Sequence, residues 1–218
     1  DTEGLWAGKT LRISSEVLAS CDKAVSLIEA AMPYPILTRS AGTHTGSTLS
    51  LASDSASLAT ALDALNPQVD AYATEFMDIS DASGIFQKIR CFFIDGRLYP
   101  IHNLRSHNWE VGRRGDRLQV MSRERWMRND EIHCLDRFDD YLGRERLAAL
   151  TRFMTKIGLD FCGVDFGIDR LGRVVIFEAN PAMRHHYDHV AVAPYIEPAH
   201  DRASEAFNKM IASRITTR

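Results

Sequence analysis

Residues 161–183, which read FCGVDFGIDRLGRVVIFEANPAM, predict a β-hairpin around which the rest of the chain must be organised. Two segments rich in β-forming residues, Phe161–Ile168 and Arg173–Ala179, flank a turn at Asp169–Gly172. Hairpins need further strands or helices to bury their apolar side. One face of this hairpin is therefore predicted to form part of a core.

Side chains alternate between the two faces of a strand, so this hairpin is predicted to have one apolar face and one polar face. A four-residue turn pairs Asp165 with Ile176. The apolar face then holds Val164, Phe166, Ile168, Val175, Phe177 and Ala179. The polar face holds Gly163, Asp165, Gly167, Glu178 and Asn180. The polar face thus combines two carboxylates and an amide with the space that glycines leave.

The polar face is a candidate metal site. Asp165 and Glu178 are predicted to be diagonal neighbours, with backbones about 7–8 Å apart. Carboxylates about 5 Å apart repel each other by about 3 kcal/mol at an effective dielectric constant of about 20. A shared hard cation removes this penalty, and the oxygens of Asp165, Glu178 and Asn180 suit Mg²⁺. The alternative is a half-buried hairpin that exposes its two acids to water.

A second hairpin is predicted in residues 85–103, where an Asp-Gly pair at 95–96 forms the turn. One face of this hairpin is predicted to hold Lys88, Arg90, Phe92, Tyr99, Ile101 and Asn103. Lys88, Arg90 and Asn103 then cluster at the end away from the turn. Clustered cations suit a phosphate or a carboxylate. A solvated basic edge is the alternative.

A third hairpin is predicted around a glycine loop. Residues 35–39 and 48–52 read as short strands, and the loop SAGTHTGS between them offers N–H groups and hydroxyls to an anion. Arg39 adds a fixed positive charge. The loop is not a Walker A motif, because GxxxxGK[ST] is absent. An ordinary flexible hairpin would have the same composition.

Charge and cysteine usage exclude several classes of protein. A net charge of −3 over 218 residues does not indicate binding to nucleic acid or to a membrane surface. No apolar segment approaches the length of about 18 residues that a membrane span requires. The four cysteines form no CxxC pair, which argues against a zinc site and fits a reducing cytoplasm. Helices are predicted at 14–32, 55–65, 122–142, 144–157 and 198–217, and a further strand at 70–77.

From about Pro35 to Arg184, the chain resembles the ATP-grasp superfamily, in particular enzymes of the ribosomal-protein glutamate ligase and D-alanine–D-alanine ligase type. GVDF…DRLGRVVIFEANPAM is similar to its metal-binding hairpin, KIRCFFIDGRLYP to its basic strand and PILTRSAGTHTGS to its glycine-rich loop. The parts also follow the order of the family. The resemblance implies two α+β lobes with ATP between them, and Mg²⁺ or Mn²⁺ held by Asp165, Glu178 and Asn180.

The resemblance also implies the nucleotide contacts. The phosphate contacts would be Arg39, Gly42, His44, Gly46, Ser47, Lys88 and Arg90, and the adenine contacts would be Glu75, Phe76 and Met77. The family usually has Lys where this chain has Arg39, and the two side chains differ in geometry. A further basic contact lies upstream, at Arg12 or Lys9. Arg90 would contact the nucleotide phosphates or the acyl phosphate. Apart from the resemblance, Arg184 is a candidate to hold an acceptor carboxylate or an acyl phosphate, because it follows the second strand of the metal-binding hairpin.

The resemblance implies an ATP-dependent ligase with an N-terminal linker and helix at 1–32, a small lobe at 33–77 and a large lobe at 78–218. ATP would activate a carboxylate as an acyl phosphate, and an amine or a thiol would then displace phosphate. A nucleotide-binding module without ligase activity and a kinase acting on a hydroxyl are the alternatives. The resemblance also implies a further domain before this core, so we expect an N-terminal domain or a partner that supplies it.

Overall fold

The computed structural model describes residues 4–43, 47–112, 115–185 and 187–216. The chain is a mixed α+β protein with two sheets, as the sequence predicts. It divides into two compact units. The small unit comprises Ala7–Met77, and the large unit comprises Asp1–Trp6 with Asp78–Arg218.

The regular elements follow one another in a mixed order of strands and helices. They are β1 (Leu5–Trp6), β2 (Thr10–Ile13), α1 (Ser15–Leu18), α2 (Cys21–Ala31), β3 (Ile36–Ser40), β4 (Ser50–Ala52), α3 (Ser55–Asp63), β5 (Ala71–Glu75), β6 (Phe86–Ile94), β7 (Arg97–Ser106), a π-helix (Arg117–Met121), α4 (Arg125–Asp136), α5 (Phe138–Leu142), α6 (Arg144–Ile157), β8 (Phe161–Ile168), β9 (Val174–Asn180), two 3₁₀ turns (Tyr187–Ala191 and Pro194–Ile196) and α7 (Glu197–Thr216).

The small unit is an antiparallel sheet in the order β2-β5-β3-β4 with helices packed against it. Its core contains Ile13, Ile28, Ile36, Leu58 and Leu62, all buried. Residues 7–32, which the sequence sets apart as a linker and a helix, lie within this unit and contribute to its core.

The prediction of one helix over residues 14–32 is wrong, because the chain forms the two helices α1 and α2. The N–H of Ser20 donates to the carbonyl of Val17, which tightens the last turn of α1. Ser20 then adopts an extended backbone and starts α2. Serine favours such boundary positions because its hydroxyl competes with helical hydrogen bonding.

The large unit is built on a five-stranded sheet in the order β1-β9-β8-β6-β7. β1 is parallel to β9, and the other neighbours are antiparallel. Both predicted hairpins are present, with Ile94 opposite Arg97 across the Asp95–Gly96 turn. Phe166 of β8 is fully buried and packs in a core that also includes Leu142 and Leu150.

The helices of the large unit differ in how well the sequence predicts them. Helix α6 has the predicted limits and ends at Gly158, whose φ of 74° lies in the left-handed region that glycine favours. The helix predicted over 122–142 is instead divided into α4 and α5 at Arg137. Among the residues that the structure describes, no helix is both long enough and apolar enough to cross a membrane.

A β-bulge changes the pairing of β8 with β9. Phe166 pairs with Ile176, whereas Asp165 pairs with Glu178, so Phe177 is the extra residue of β9. The prediction that the two carboxylates are diagonal neighbours is therefore wrong, because they lie directly opposite each other. The bulge brings the two acids closer than regular pairing would.

The turn of this hairpin holds five residues, Asp169–Arg173, and not the predicted four, because Ile168 pairs with Val174. Val175 pairs with Gly167, and Phe177 is 42% exposed. A Cβ atom added at Gly167 would lie 2.9 Å from the ring of Phe177, so the glycine leaves room for this ring. The prediction that Val175 and Phe177 share the face of Val164 and Phe166 is wrong, because the extra turn residue shifts the pairing by one and exchanges the faces of β9. Val175 is nevertheless buried, at 1% exposure.

A second β-bulge lies between β6 and β7. The pairing skips Ile101, so that Arg90 pairs with His102. Asn103 therefore pairs with Ile89 and lies on the opposite face of the sheet from Arg90. The prediction that Asn103 clusters with the basic side chains is wrong. The proline that precedes Ile101 has no N–H for the ladder, and prolines within sheets are found at bulges.

Candidate functional site

Four charged side chains share one face of the large sheet. Arg90 of β6 pairs with Asp165 of β8, and Asp165 pairs with Glu178 of β9, so the three form a row across neighbouring strands. Lys88 lies two residues before Arg90 on β6 and points to the same face. We refer to Lys88, Arg90, Asp165 and Glu178 as the charged cluster.

Arg90 and Asp165 form the strongest contact in the charged cluster. Nε of Arg90 donates to Oδ1 of Asp165 at 2.6 Å, and Nη2 donates to Oδ2 at 2.7 Å. Such two-point contacts between guanidinium and carboxylate are among the strongest protein hydrogen bonds. Asp165 is only 4% exposed, and Nζ of Lys88 lies 3.9 Å from its Oδ2. The carboxylate is thus buried between two cations.

Burial and nearby carboxylates have opposite effects on the pKa of Lys88 and of Arg90. Burial lowers the pKa of Lys88, and the attraction of Asp165 offsets only part of this effect. Burial also opposes the charge of Arg90, but hydrogen bonds and attraction from Asp165 raise the pKa of Arg90 above its ordinary value. Glu178 raises the pKa of both cations. Two cations and two carboxylates make the charged cluster neutral.

At the end of β9, the side chain of Asn180 is held in place by two hydrogen bonds. Nδ2 of Asn180 donates to Oε1 of Glu178 at 2.9 Å. Oδ1 of Asn180 accepts from the N–H of Ala182 at 2.8 Å. Beyond this turn, the carbonyl of Arg184 accepts from Nη1 of Arg90 at 3.4 Å. The segment that follows β9 is thereby connected to the charged cluster.

The chemistry of these groups fits a hard divalent cation. Asp165 and Glu178 face each other, and Asn180 adds an amide oxygen beside them. Arg90 binds both oxygens of Asp165, so a metal ion can use this carboxylate only after the guanidinium turns away. In the described ranges, no three or more His, Cys, Asp and Glu side chains are grouped so as to hold a metal ion. The ligand set Asp165, Glu178 and Asn180 therefore stays a prediction.

Gly163 allows the chain after β9 to approach β8. A Cβ atom at Gly163 would lie 2.5 Å from both Cβ and the sulfur of Met183, a separation that real side chains do not adopt. Met183 itself is buried. The segment that carries Arg184 can therefore lie against the sheet only because residue 163 has no side chain.

We expect Gly163→Ala to lower the free energy of unfolding by about 1–3 kcal/mol, because the added methyl group overpacks the contact with Met183. Urea unfolding followed by circular dichroism measures this loss. In a Met183→Ala background the penalty should be smaller, because part of the opposing side chain is removed. A Gly163→Ala variant as stable as the parent protein would contradict the close approach.

The small unit carries a separate pair of cations. Arg12 of β2 and Arg39 of β3 both pair with Tyr72 of β5, so the three lie in a row on one face. The guanidinium of Arg39 is 5.8 Å from the centre of the Tyr72 ring. Arg12 is bound to Asp70 at 2.8 Å, and its side chain is 66% exposed. The structure thus places the predicted Arg12 and Arg39 on one surface.

Lys9, the alternative upstream cation, has another role in the small unit. Its Nζ donates to the carbonyl of Ala31 at 2.7 Å, at the end of α2. A cation at that position stabilises the carbonyl end of a helix. This contact favours Arg12 over Lys9 as the basic group that accompanies Arg39.

The glycine loop is described in part. Gly42 has a φ of 71°, which a residue with a side chain rarely adopts, and Ser47 is exposed. His44 and Gly46, the other two predicted phosphate contacts of the loop, lie outside the described residues. Antiparallel pairing of β3 with β4 confirms that a hairpin surrounds this loop.

The predicted adenine contacts lie at the end of β5. The N–H of Glu75 donates to the carbonyl of Lys9, and the N–H of Phe76 donates to the carbonyl of Pro35. These two donors are therefore engaged within the small unit.

A buried network in the large unit was not apparent from the sequence. Glu131 of α4 is fully buried and accepts hydrogen bonds from Arg117 at 2.5 Å and from the hydroxyl of Tyr195 at 2.7 Å. The N–H of Asn103 donates to the same carboxylate at 3.0 Å. The helical pattern places Glu131 with solvated charges, and no local signal distinguishes it from them.

Comparison with known proteins gives matches among solved structures. No family model and no curated protein sequence matches the chain. The macrocyclase MdnC from Microcystis aeruginosa MRC, solved with the precursor peptide MdnA, is 13% identical with a TM-score of 0.47, and the match covers 94% of this chain and 56% of that one. D-alanyl-alanine synthetase A from Vibrio cholerae O1 is 12% identical with a TM-score of 0.48, and the match covers 81% of this chain and 51% of that one.

A third match is carboxyaminoimidazole ribonucleotide synthase from Aspergillus clavatus, solved with ATP, at 13% identity and a TM-score of 0.46, covering 83% of this chain and 42% of that one. These matched proteins are ATP-grasp family members, and the chain spans about half of their length. At such identities and TM-scores the matches carry no argument about activity, which has to be derived from the residues themselves.

Proposed function

We propose that this chain is the ATP-binding core of an ATP-grasp ligase, which activates a carboxylate as an acyl phosphate for attack by an amine or a thiol. The charged cluster carries this proposal. It combines phosphate-binding cations, Lys88 and Arg90, with oxygen donors for a divalent cation, Asp165 and Glu178, on three neighbouring strands. Phosphoryl transfer depends mainly on such positioning and charge neutralisation.

The charge balance of the cluster supports joint binding of ATP and the metal ion. The cluster is neutral, so Mg²⁺ alone would add two positive charges and would compete with Arg90 for Asp165. A triphosphate attracts Arg90 and Lys88, and this attraction frees Asp165 to act as a metal ligand. We therefore expect weak binding of Mg²⁺ alone and tight binding of Mg²⁺ together with ATP.

The remaining predicted residues have distinct roles in this proposal. When bound, Mg²⁺ would be held by Asp165, Glu178 and Asn180 and would neutralise charge on the phosphates. Arg90 binds the transferred phosphoryl group, and Arg184 binds the acyl phosphate. The other proposed phosphate contacts are Arg12, Arg39, Gly42, His44, Gly46, Ser47 and Lys88, and the proposed adenine contacts are Glu75, Phe76 and Met77.

Calorimetric titration with ATP tests this proposal directly. We expect Mg²⁺ to increase the affinity of the wild-type protein for ATP, and Glu178→Gln to weaken binding of the Mg²⁺ complex by about tenfold, a loss of about 1.4 kcal/mol. Binding of ATP without Mg²⁺ should change little. Glu145→Gln, an exposed position on α6, is the matched control. Absence of Mg²⁺-dependent ATP binding in the wild-type protein would refute the proposal.

A nucleotide-binding module without ligase activity is the second candidate. Arg39 stands where the family usually has Lys, and its guanidinium lies over Tyr72. The two candidates differ in turnover. A ligase forms ADP and phosphate only when both a carboxylate and an amine are present, a kinase forms ADP with a hydroxyl acceptor, and a binding module forms no ADP with either.

The cysteines support the proposed cytoplasmic location. All four are free thiols, and Cys91, Cys134 and Cys162 are buried. Burial raises the pKa of Cys91 and Cys134 well above the usual value, so both stay protonated and unreactive at neutral pH. Free buried thiols are usual in proteins of a reducing compartment.

A further inference from the structure

A second group of arginines lies outside the charged cluster. Residues 113–128 read RRGDRLQVMSRERWMR and contain six arginines and two acidic residues, whereas the whole chain has a net charge of −3. Of these arginines, the structure shows Arg123, Arg125 and Arg128 as exposed. Among the described residues of the segment, these three arginines form a basic surface on a chain that is acidic overall.

The guanidiniums of these three arginines have no partner in the part of the chain that the structure describes. No side-chain hydrogen bond or ion pair connects Arg123, Arg125 or Arg128 to a described residue. Arg117, in the same segment, differs from these three arginines, because it is buried and bound to Glu131. The three exposed guanidiniums can therefore bind a ligand without breaking a contact to the described residues.

The placement of two of these arginines is unfavourable for the helix that carries them. Arg125 and Arg128 lie in the first turn of α4, which contains no acidic residue. Cations at this end oppose the helix dipole, and like charges three residues apart repel each other. Natural proteins give up stability at positions that serve function, so these two arginines are candidates for binding.

A cavity lies beside this basic surface. It has a volume of about 70 Å³ and is lined by Arg117, Leu118, Met121, Ser122, Arg128, Val192, Ala193 and Tyr195. Leu118 is 56% exposed and Val192 is 51% exposed, so apolar walls that these residues share with Arg128 reach the surface. Ligand sites for whole small molecules are usually about 300 Å³ or larger. This cavity is the size of one side chain.

We propose that Arg123, Arg125, Arg128 and this cavity form a docking surface for an acidic segment of a partner polypeptide. The guanidiniums bind its carboxylates, since their planar donors match carboxylate geometry. One apolar side chain of the partner enters the cavity, which is too small for a nucleotide. The surface is independent of the proposed ATP site, and its test requires neither ATP nor a metal ion.

Fluorescence anisotropy with synthetic peptides tests this surface. The probe is a labelled peptide of Asp, Glu and Gly with one central Leu. We expect it to bind at low ionic strength, and we expect binding to weaken with salt. A peptide with Gly in place of Leu should bind more weakly, and a peptide with Lys in place of the acids should not bind.

Variants separate docking from folding. Arg125→Gln combined with Arg128→Gln should weaken peptide binding by about tenfold, since arginines are frequent energetic centres of interfaces. The same variant should unfold at a temperature equal to or above that of the wild-type protein, because it removes unfavourable charges from α4. Arg152→Gln, an exposed arginine on α6, should change neither quantity.

A substitution in the cavity provides an independent test. Val192→Glu, at an exposed position, places a negative charge at the cavity and should abolish peptide binding. The proposal is overturned if the acidic peptide does not bind the wild-type protein, or if it binds the Arg125 and Arg128 variant equally well. It is also overturned if a single-stranded oligonucleotide binds more tightly and displaces the peptide, which would make the surface a nucleic-acid site.

Discussion

Replacing Arg90 by Gln is expected to change the affinities for ATP and for a free divalent cation in opposite directions. Arg90 donates two hydrogen bonds to Asp165, so its removal uncovers both oxygens of a carboxylate that lies opposite Glu178. Binding of Mn²⁺ in the absence of nucleotide should therefore become tighter. Binding of ATP should become weaker, because the guanidinium that we assign to the phosphates is lost.

The expected loss in ATP affinity is about tenfold to a hundredfold, since a hydrogen bond to a charged group contributes about 1.5–3 kcal/mol. Calorimetry measures the ATP affinity, and electron paramagnetic resonance of free Mn²⁺ measures the metal affinity. Arg152→Gln is the control for removal of one positive charge from the surface. Parallel changes in both affinities would mean that Arg90 and the metal ion do not compete for Asp165.

Asp165→Asn provides the matched test of the carboxylate itself. This variant keeps the size of the side chain but removes the charge that binds Arg90 and the proposed metal ion. In the Arg90→Gln background, it should abolish the gain in Mn²⁺ affinity. A gain that persists without the Asp165 carboxylate would show that Arg90 acts on the metal through another group.

Features of the fold with strong local signals could be predicted from the sequence. The Asp95–Gly96 turn fixes the end of one hairpin, because this pair adopts the positive φ angles that the tight turn requires. Asp54 starts α3 by binding the N–H of Ser57, as its position before the helical segment predicts. Helix α6 lies between Gly143 and Gly158 and has the predicted limits.

The two β-bulges could not be predicted, because a bulge depends on the strand opposite and on the packing of both faces. Alternation assigns faces correctly only while the strand is uninterrupted. Asn103 therefore lies on the face opposite to the one predicted. Phe177 also changes face, because the turn after β8 has one residue more than predicted. The bulge in β9 also brings Glu178 directly opposite Asp165, so the feature that the sequence hides determines the geometry of the candidate site.

The charged residues of the site could also be predicted only in part. Their types and strands could be predicted, since the two hairpins define which residues lie near one another. The partner of each charge could not be predicted, because it is chosen in three dimensions. Arg90 thus binds Asp165, which the sequence assigns to a metal ion, and Glu131 binds Arg117 in the interior.

Replacing Glu131 by Gln is expected to lower the free energy of unfolding by about 3–5 kcal/mol. Glu131 is fully buried and neutralises Arg117, which is only 9% exposed. The neutral amide would leave the buried guanidinium without a counter-ion and would turn its own NH₂ group toward one of the donors that the carboxylate now binds. Urea unfolding measures the loss, and Glu145→Gln should change the stability by less than about 0.5 kcal/mol because it is exposed.

A double variant distinguishes loss of a charge partner from loss of packing. Arg117→Met combined with Glu131→Leu removes both charges and replaces them with apolar groups of similar length. Because no uncompensated charge remains, this variant should be more stable than either single replacement. If the two single losses simply add, Arg117 and Glu131 do not depend on each other, and the position of Glu131 within α4 would be explained by its contacts with Asn103 and Tyr195 alone.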